Sequence, residues 1–259
     1  MRTTAVRRTA LAASVMSLAL LATACGGAEE KGGKADAAAP GAEDGGATKA
    51  AVKALTSAEL EKLSLEQGDA AGQKIAKTTS ADRAGEGDVT ADKKECEPIS
   101  SALYGVKRGA PIGDAARRAT QEPVKDKDAS PEEQLAAAFD ITSTLVTLNS
   151  YEGDGAAKSI AELRDAVAAC SGGFVMTTKG EKQNLAEVTE EKVSGGEEAA
   201  AWNVLFDADG SKVPFKLVII RQGATVATFA TMDFGAMATK KTESDLPTEL
   251  IDAQLKKLG

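Results

Sequence analysis

The sequence predicts an α+β fold: an antiparallel sheet of about five to seven strands, packed with several helices and held by one disulfide. Three features indicate this fold. β-Branched and aromatic residues are concentrated at 139–151 and 199–232, and in the second stretch turn signals follow at short intervals. Segments with helical apolar spacing lie before and after these stretches, as in α+β proteins. Two cysteines, Cys96 and Cys170, are available for pairing.

The first 24 residues have the pattern of an export signal. Arg2, Arg7 and Arg8 form a positive head, and an uncharged apolar run follows at 9–22. This run has about 14 residues, whereas a helix that spans a bilayer needs about 20. We therefore interpret residues 1–24 as a signal peptide.

The residues at 21–24, Leu-Ala-Thr-Ala, stand directly before Cys25 and resemble the bacterial lipobox. The resemblance implies that the Cys25 sulfur receives a diacylglycerol, that the signal is cut just before it, and that the new amine is acylated. Ala22 departs from the usual pattern, which has Leu at that position. We predict lipid attachment at Cys25 and a location on the extracytoplasmic face of the cell membrane. An ordinary secretory cut near Ala24, or an uncleaved anchor, is the alternative.

Residues 25–54 are predicted to form the lipidated cysteine and a disordered tether. They are mainly Gly, Ala, Glu, Lys and Asp, and no large apolar side chain precedes Val52. Such a segment cannot bury enough surface to offset the entropy cost of ordering it. Its average reach is roughly 30 Å. The remaining residues, 55–259, have the size of a single domain.

The charge balance argues against nucleic acid as a partner. The chain has 31 Lys and Arg against 39 Asp and Glu, and residues 1–24 hold three of the arginines and no acid. The exported part therefore has a formal net charge of −11. Nucleic acid and anionic lipid surfaces both attract clustered basic residues instead. The predicted membrane contact is the N-terminal lipid alone.

Histidine is absent from the sequence. Its absence removes Ser-His-Asp and Cys-His catalysis, HExxH zinc sites and histidine-based pH switches. The spacings of a P-loop, a GxSxG elbow and a dinucleotide-binding loop are also missing. We expect no enzyme activity, no cofactor and no metal. A hydrolase that uses two carboxylates remains an open alternative.

Four segments have helical apolar spacing, at 57–66, 98–105, 155–170 and 247–258. The third is the clearest, because its apolar residues recur on one face while charged residues fill the other. That face consists of Ala156, Ile160, Leu163, Val167 and Cys170. The charged stretches 78–94 and 122–128 are predicted to be surface loops.

The strands are predicted at 139–151 and in a run of three at 199–232, with hairpin turns at Asp209-Gly210 and Gln222-Gly223. The stretch Asp207–Gly210, DADG, is similar to part of a calcium loop, but its glycine comes two residues too early for that site. We interpret it as a hairpin turn.

If Cys25 carries a lipid, Cys96 and Cys170 are left as an even pair in an oxidising compartment, which favours a disulfide. Two free redox-active thiols are the alternative, although the CxxC spacing of such sites is missing. Tyr151, Trp202 and Arg221 are candidates for a ligand pocket. A place in the core or at its rim is the favoured interpretation of all three, and the pocket is the alternative.

Several stretches together resemble one family. These are LTSAELEKLSLEQGD, CEPISSAL, SYEGDGAAKSIAELRDAVAAC, VIIRQGATVATF and LPTELIDAQLKKL. Over residues 55–259 the chain resembles lipoproteins of streptomycetes and related actinobacteria whose domain is similar to the extracellular sensor domain of mycobacterial PknH-type serine/threonine kinases. The resemblance implies an antiparallel sheet packed with helices around a cleft, locked by disulfides, with a ligand-sensing role. Those kinase domains have two disulfides, whereas this chain can form only Cys96–Cys170.

These features predict a non-enzymatic cell-surface lipoprotein whose domain binds a small molecule, a cell-wall component or a protein. Because the sequence shows no kinase and no transmembrane segment of its own, any signal would pass through a partner. A carrier of lipids or glycolipids is the alternative function. The small number of aromatic residues argues against the carrier, since the chain has one Trp, two Tyr and six Phe.

Overall fold

The computed structural model describes residues 52–123 and 128–259. In these ranges the chain forms three layers, with one β-sheet between two layers of helices. The predicted signal peptide, Cys25 and nearly all of the predicted tether lie outside the described residues.

The described residues contain nine strands and six α-helices. The strands are β1 (Gln73–Lys77), β2 (Val89–Ala91), β3 (Gly113–Gln121), β4 (Thr142–Ser150), β5 (Phe174–Thr178), β6 (Glu181–Glu191), β7 (Glu198–Ala208), β8 (Ser211–Gln222) and β9 (Thr225–Asp233). The helices are α1 (Ser57–Leu63), α2 (Glu97–Leu103), α3 (Pro131–Phe139), α4 (Gly155–Cys170), α5 (Phe234–Thr239) and α6 (Thr248–Leu258). A short 3₁₀ helix, Lys94–Cys96, precedes α2.

All nine strands belong to one antiparallel sheet in the order β1-β3-β4-β9-β8-β7-β6-β5-β2. The run β5 to β9 is a meander in which each strand pairs with the next. The two short strands from the N-terminal part, β1 and β2, form opposite edges of the sheet.

The prediction of about five to seven strands is wrong, because the sheet has nine. The additional strands bury few apolar side chains, so their sequences lack the usual signal. In β1 only Ile75 is buried, and in β6 only Leu185 and Val188 are. In β3 the buried residues are Gly113, alanines and Arg117. Strand β2 lies within 78–94, which the sequence predicts as a loop.

The two faces of the sheet have separate cores. Helices α2 and α4 cover one face, here called the α4 face, and helices α1 and α6 cover the other, the α6 face. Along β8, Leu217 and Ile219 belong to the core of the α4 face, whereas Val218 and Ile220 belong to that of the α6 face. Burial on both sides explains why β8 is a nearly continuous apolar run.

The turn between β7 and β8 is a two-residue hairpin. Asp209 and Gly210 both have positive φ, 51° and 83°, as a type I′ turn requires. The Asp207 carboxylate accepts a hydrogen bond from the Gly210 amide at 2.8 Å, which fixes the turn. The DADG stretch is therefore a hairpin turn, as the sequence predicts.

The structure contains a disulfide between Cys96 and Cys170, with the Cα atoms 5.9 Å apart. It joins the 3₁₀ helix before α2 to the last residue of α4, across 74 positions of sequence. Both cysteines are fully buried in the core of the α4 face. The bridge therefore fixes the two helices that cover this face.

Helix α1 begins with a capping box. The Thr56 hydroxyl accepts a hydrogen bond from the Glu59 amide, and the Glu59 carboxylate accepts hydrogen bonds from the Thr56 amide and hydroxyl, both at 2.8 Å. The backbone bond from Thr56, then its hydroxyl, then Lys53 lower the pKa of Glu59 to about 2. The N-cap of α1 is thus Thr56.

Candidate ligand-binding site

A groove of about 660 Å³ lies on the α4 face, at the end of the sheet that holds the β7–β8 hairpin. We call it the aromatic groove. Its lining comes from the end of α2, from strands β5 to β9 and from α5. The lining residues are Tyr104, Val175, Lys182, Gln183, Asn184, Phe206, Asp207, Ala208, Asp209, Val213, Phe215, Met232 and Met237.

Two phenylalanines from neighbouring strands provide the apolar part of the groove. Val204 pairs with Phe215, and Phe206 pairs with Val213, so the two rings are diagonal neighbours on one face. Their centroids are 4.5 Å apart and their planes are tilted by 49°. Phe206 is almost completely buried, while Phe215 is half-buried. The pair therefore offers a rigid apolar surface at low entropic cost.

Flexible and polar side chains form the rim. The Tyr104 hydroxyl, just after α2, donates a hydrogen bond to the Gln183 Oε1 atom of β6 at 2.8 Å. Met232 and Met237 lie on the β9–α5 side, and 41% of Met237 is exposed. Methionine side chains adapt to ligands of different shape. The groove thus combines a fixed aromatic pair with an adaptable edge.

One end of the groove is polar. Lys182, Asn184 and Asp209 are exposed there and make no side-chain hydrogen bond or ion pair with another described residue. Because Leu185 pairs with Phe206, Lys182 and Asn184 lie on the opposite face of β6. The Asp207 carboxylate already has an ion-pair partner, because the Lys212 Nζ atom lies 2.8 Å from its Oδ2 atom. The pKa of Asp207 is lowered first by Lys212 and then by the hydrogen bond from the Gly210 amide. The polar groups on the same face as the phenylalanines are those of Tyr104 and Gln183.

This arrangement suits binding more than catalysis. Ligand sites are concave, mainly apolar and furnished with a few polar groups that orient the ligand. The groove would accept an amphipathic molecule whose apolar ring or short chain lies on the phenylalanines. Among the residues that the structure describes, no group of three Cys, Asp or Glu side chains is arranged to hold a metal ion.

Three exposed apolar side chains lie outside the groove lining, on α5 and α3. In α5, Phe234 is 37% exposed, and in α3, Leu135 and Phe139 are 61% and 59% exposed. Helix α3 contacts α5 but buries none of its residues.

Tyr151 lies elsewhere, at the end of β4 beside the first turn of α4. It is 3% exposed, and its hydroxyl donates to the Arg108 carbonyl oxygen at 2.9 Å and contacts the Ser159 hydroxyl at 3.3 Å. Burial raises the pKa of Tyr151. It lines a separate cavity of about 620 Å³ at this end of α4.

Trp202 and Arg221 occupy two further places. Trp202 is 2% exposed in the core of the α4 face. Arg221, at the end of β8, pairs with the carboxylates of Glu197 and Glu198. The three residues predicted to form a pocket therefore line no common cavity among those described here.

Sequence reasoning missed the residues of the aromatic groove. The available signal was the Asp209-Gly210 turn, since a two-residue hairpin fixes the register and places Phe206 and Phe215 on one face. No pattern in the sequence indicates that Tyr104 and Met237 line the groove, because their positions depend on how α2 and α5 pack.

Within residues 52–123 and 128–259, none of the helices has the length and hydropathy needed to cross a bilayer. No family model matches the chain, and no curated protein sequence does. The fold is similar to the crystal structure of the extracellular domain of PknH from Mycobacterium tuberculosis. That similarity has 13% sequence identity and a TM-score of 0.47, over 79% of this chain and 98% of that domain.

Proposed function

We propose that this chain is an extracytoplasmic lipoprotein whose domain binds a small amphipathic ligand in the aromatic groove and does not transform it chemically. The observation that carries the proposal is the groove itself. It joins the Phe206–Phe215 pair to a polar rim formed by Tyr104 and Gln183. The ligand would place an apolar ring on the phenylalanines and a hydrogen-bonding group near Tyr104 and Gln183.

The proposed location rests on two independent features. The residues before Cys25 resemble a lipobox, which supports a lipid anchor. The Cys96–Cys170 disulfide supports an oxidising compartment, since structural disulfides persist mainly outside the cytoplasm. The long polar stretch after Cys25 would hold the domain near the membrane surface.

Binding of a small molecule fits the groove better than carriage of a lipid. The groove is open to solvent along one side, and Lys182, Asn184 and Asp209 line part of it. Long acyl chains would therefore stay partly in contact with water, at a cost of about 0.8 kcal/mol for each exposed methylene. A ligand with one ring or a short chain avoids this cost.

A fluorescence titration with 1-anilinonaphthalene-8-sulfonate tests the groove. This probe combines an aromatic surface with a polar group, as the proposed ligand does. We expect saturable binding to the full chain, weakened about tenfold by Met237→Asp, which places a charge at the rim. Because 41% of Met237 is exposed, this change should leave the fold intact.

Phe139→Asp is the matched control, because it places the same charge at an exposed apolar residue of α3 that is not part of the groove lining. We expect this variant to bind the probe within twofold of the parent. Equal weakening by both variants, or the absence of saturable binding, would show that the groove is not the ligand site.

A further inference from the structure

A second cavity, of about 680 Å³, lies on the opposite face of the sheet from the aromatic groove. It is enclosed by β6 to β9 and by the connector at residues 241–245, between α5 and α6. We call it the acidic cleft. The Asn203 Nδ2 group donates a hydrogen bond to the Thr242 carbonyl oxygen at 2.8 Å, which attaches the connector to the sheet.

The sheet beneath the cleft has a continuous row of polar side chains. Thr144 pairs with Thr231, Thr231 with Lys216, Lys216 with Asn203, and Asn203 with Thr189. These residues lie side by side on five adjacent strands, because cross-strand partners point to the same face. A polar row inside a sheet face that is otherwise apolar departs from the pattern of a structural core.

The one buried cation of this row is already neutralised. Lys216 is 2% exposed, and its ammonium group pairs with the Glu191 carboxylate. A charge this deeply buried needs such a partner. Lys216 therefore adds little positive potential for an incoming ligand.

The remaining charge of the cleft is negative. Its lining contains two lysines, Lys216 and Lys241, against six acids: Glu187, Glu190, Glu191, Asp233, Glu243 and Asp245. Glu190 pairs with Trp202 and therefore points to the α4 face. Glu243 and Asp245 make no side-chain hydrogen bond or ion pair with another described residue. No three acids in the described part of the chain come close enough to hold a metal ion. The acidic groups are thus spread along the cleft and suit an extended cation better than a compact one.

Two buried polar atoms in the lining have no hydrogen-bond partner, Asn203 Oδ1 and Ser244 Oγ. Ser244 is only 9% exposed. Because the amide nitrogen of Asn203 is held by Thr242, its Oδ1 atom is left as an acceptor. Such atoms cost free energy unless a donor reaches them. They are independent of the acidic groups, and they too require a donor.

We propose that the acidic cleft binds an aliphatic polyamine, at a site separate from the aromatic groove. Its ammonium groups donate to Asn203 Oδ1, Ser244 Oγ and the unpaired carboxylates, and its methylenes lie against Leu205 of β7. A linear chain of ammonium groups matches acceptors that are distributed along a cleft, and each terminal ammonium supplies three donors while an internal one supplies two.

Isothermal titration calorimetry of the full chain with spermidine tests the proposal, with triethylene glycol as an uncharged probe of similar length. We expect one spermidine site per chain and no binding of triethylene glycol. The double variant Glu243→Gln/Asp245→Asn should weaken spermidine binding about tenfold. Ser244→Ala should weaken it about threefold, because one acceptor is lost.

The matched control is Glu132→Gln/Glu181→Gln, which removes the same charge from exposed acids outside the cleft. We expect this variant to bind spermidine within twofold of the parent. Equal weakening by the two double variants would reduce the effect to general attraction by a negative chain and overturn the proposal. An unchanged affinity in Ser244→Ala, or a failure of spermidine to bind the parent, would overturn it as well.

Discussion

The ammonium group of Lys216 pairs with the carboxylate of Glu191, yet the two side chains differ sharply in their access to water. Lys216 is 2% exposed, whereas 39% of the Glu191 side chain is exposed. Removal of the acid therefore leaves a buried, uncompensated charge, while removal of the lysine leaves a carboxylate that water can solvate. The two halves of this ion pair are not equivalent for stability.

We predict that Glu191→Gln lowers the free energy of unfolding by about 1–2 kcal/mol, a value reduced for the partial exposure of the acid. Lys216→Met should cost less than Glu191→Gln, because it places an apolar side chain of similar length in a dry position. Urea unfolding monitored by circular dichroism measures both variants. An equal or larger loss in Lys216→Met would contradict this asymmetry.

The Cys96–Cys170 disulfide closes a loop of 74 positions. In the chain-entropy model, a loop of this size stabilises the folded state by about 4 kcal/mol. We predict that the double variant Cys96→Ala/Cys170→Ala has a free energy of unfolding lower by about this amount. A loss below about 1 kcal/mol would show that the bridge adds little to the packing of α2 against α4.

The capping box of α1 predicts a specific pH dependence. Folding lowers the pKa of Glu59 from 4.5 to about 2, so folding favours the charged carboxylate. The contribution of this group to stability is therefore present above pH about 4.5 and is lost as the pH falls towards about 2. Thr56→Ala should raise the pKa of Glu59, because it removes the hydroxyl hydrogen bond.

An NMR titration of the Glu59 side-chain carboxyl measures this pKa directly. Ser130→Ala is the matched control, because it removes the equivalent hydroxyl from the capping box of α3. We expect it to leave the pKa of Glu59 unchanged. If Glu59 already titrates near 4.5 in the parent chain, the capping box does not act as described.

The proposed lipid anchor depends on one thiol. We predict that the chain recovered from cell membranes begins at Cys25 and has the added mass of a diacylglyceryl group, whereas Cys25→Ser is unacylated and leaves the membrane fraction. Intact-mass measurement of both proteins decides this. If the parent chain is cut at another residue and has no acyl mass, the chain is an ordinary secreted protein and the prediction of a lipoprotein is wrong.

Sequence reasoning succeeded where one periodicity dominated. Helix α4 has the bounds predicted from its apolar face, and β7, β8 and β9 lie in the stretch predicted to hold three strands. It failed where ion pairs replaced apolar burial. In β3, for example, Arg117 is buried because its guanidinium donates to the Leu65 carbonyl oxygen and pairs with Glu61 at 3.0 Å. Nothing local in the sequence distinguishes such an arginine from a solvated one.

The candidate site was harder to predict than the fold. The aromatic groove depends on contacts between distant segments, such as the hydrogen bond between Tyr104 and Gln183, 79 positions apart. The three residues chosen from the sequence were selected for aromatic or charged character alone. The structure places Trp202 in the core and gives Arg221 two acidic partners. The chemical character of a residue, without its position in the fold, was therefore not sufficient to predict the binding site.

Native mass spectrometry of the full chain recovered from the cell envelope tests the central claim most directly, namely that the aromatic groove holds a small amphipathic ligand. We predict that the parent chain is heavier under native conditions than after denaturation, and that the difference is a small molecule which Met237→Asp no longer retains. Identical native and denatured masses for the parent, or the same retained molecule in Met237→Asp, would contradict the claim.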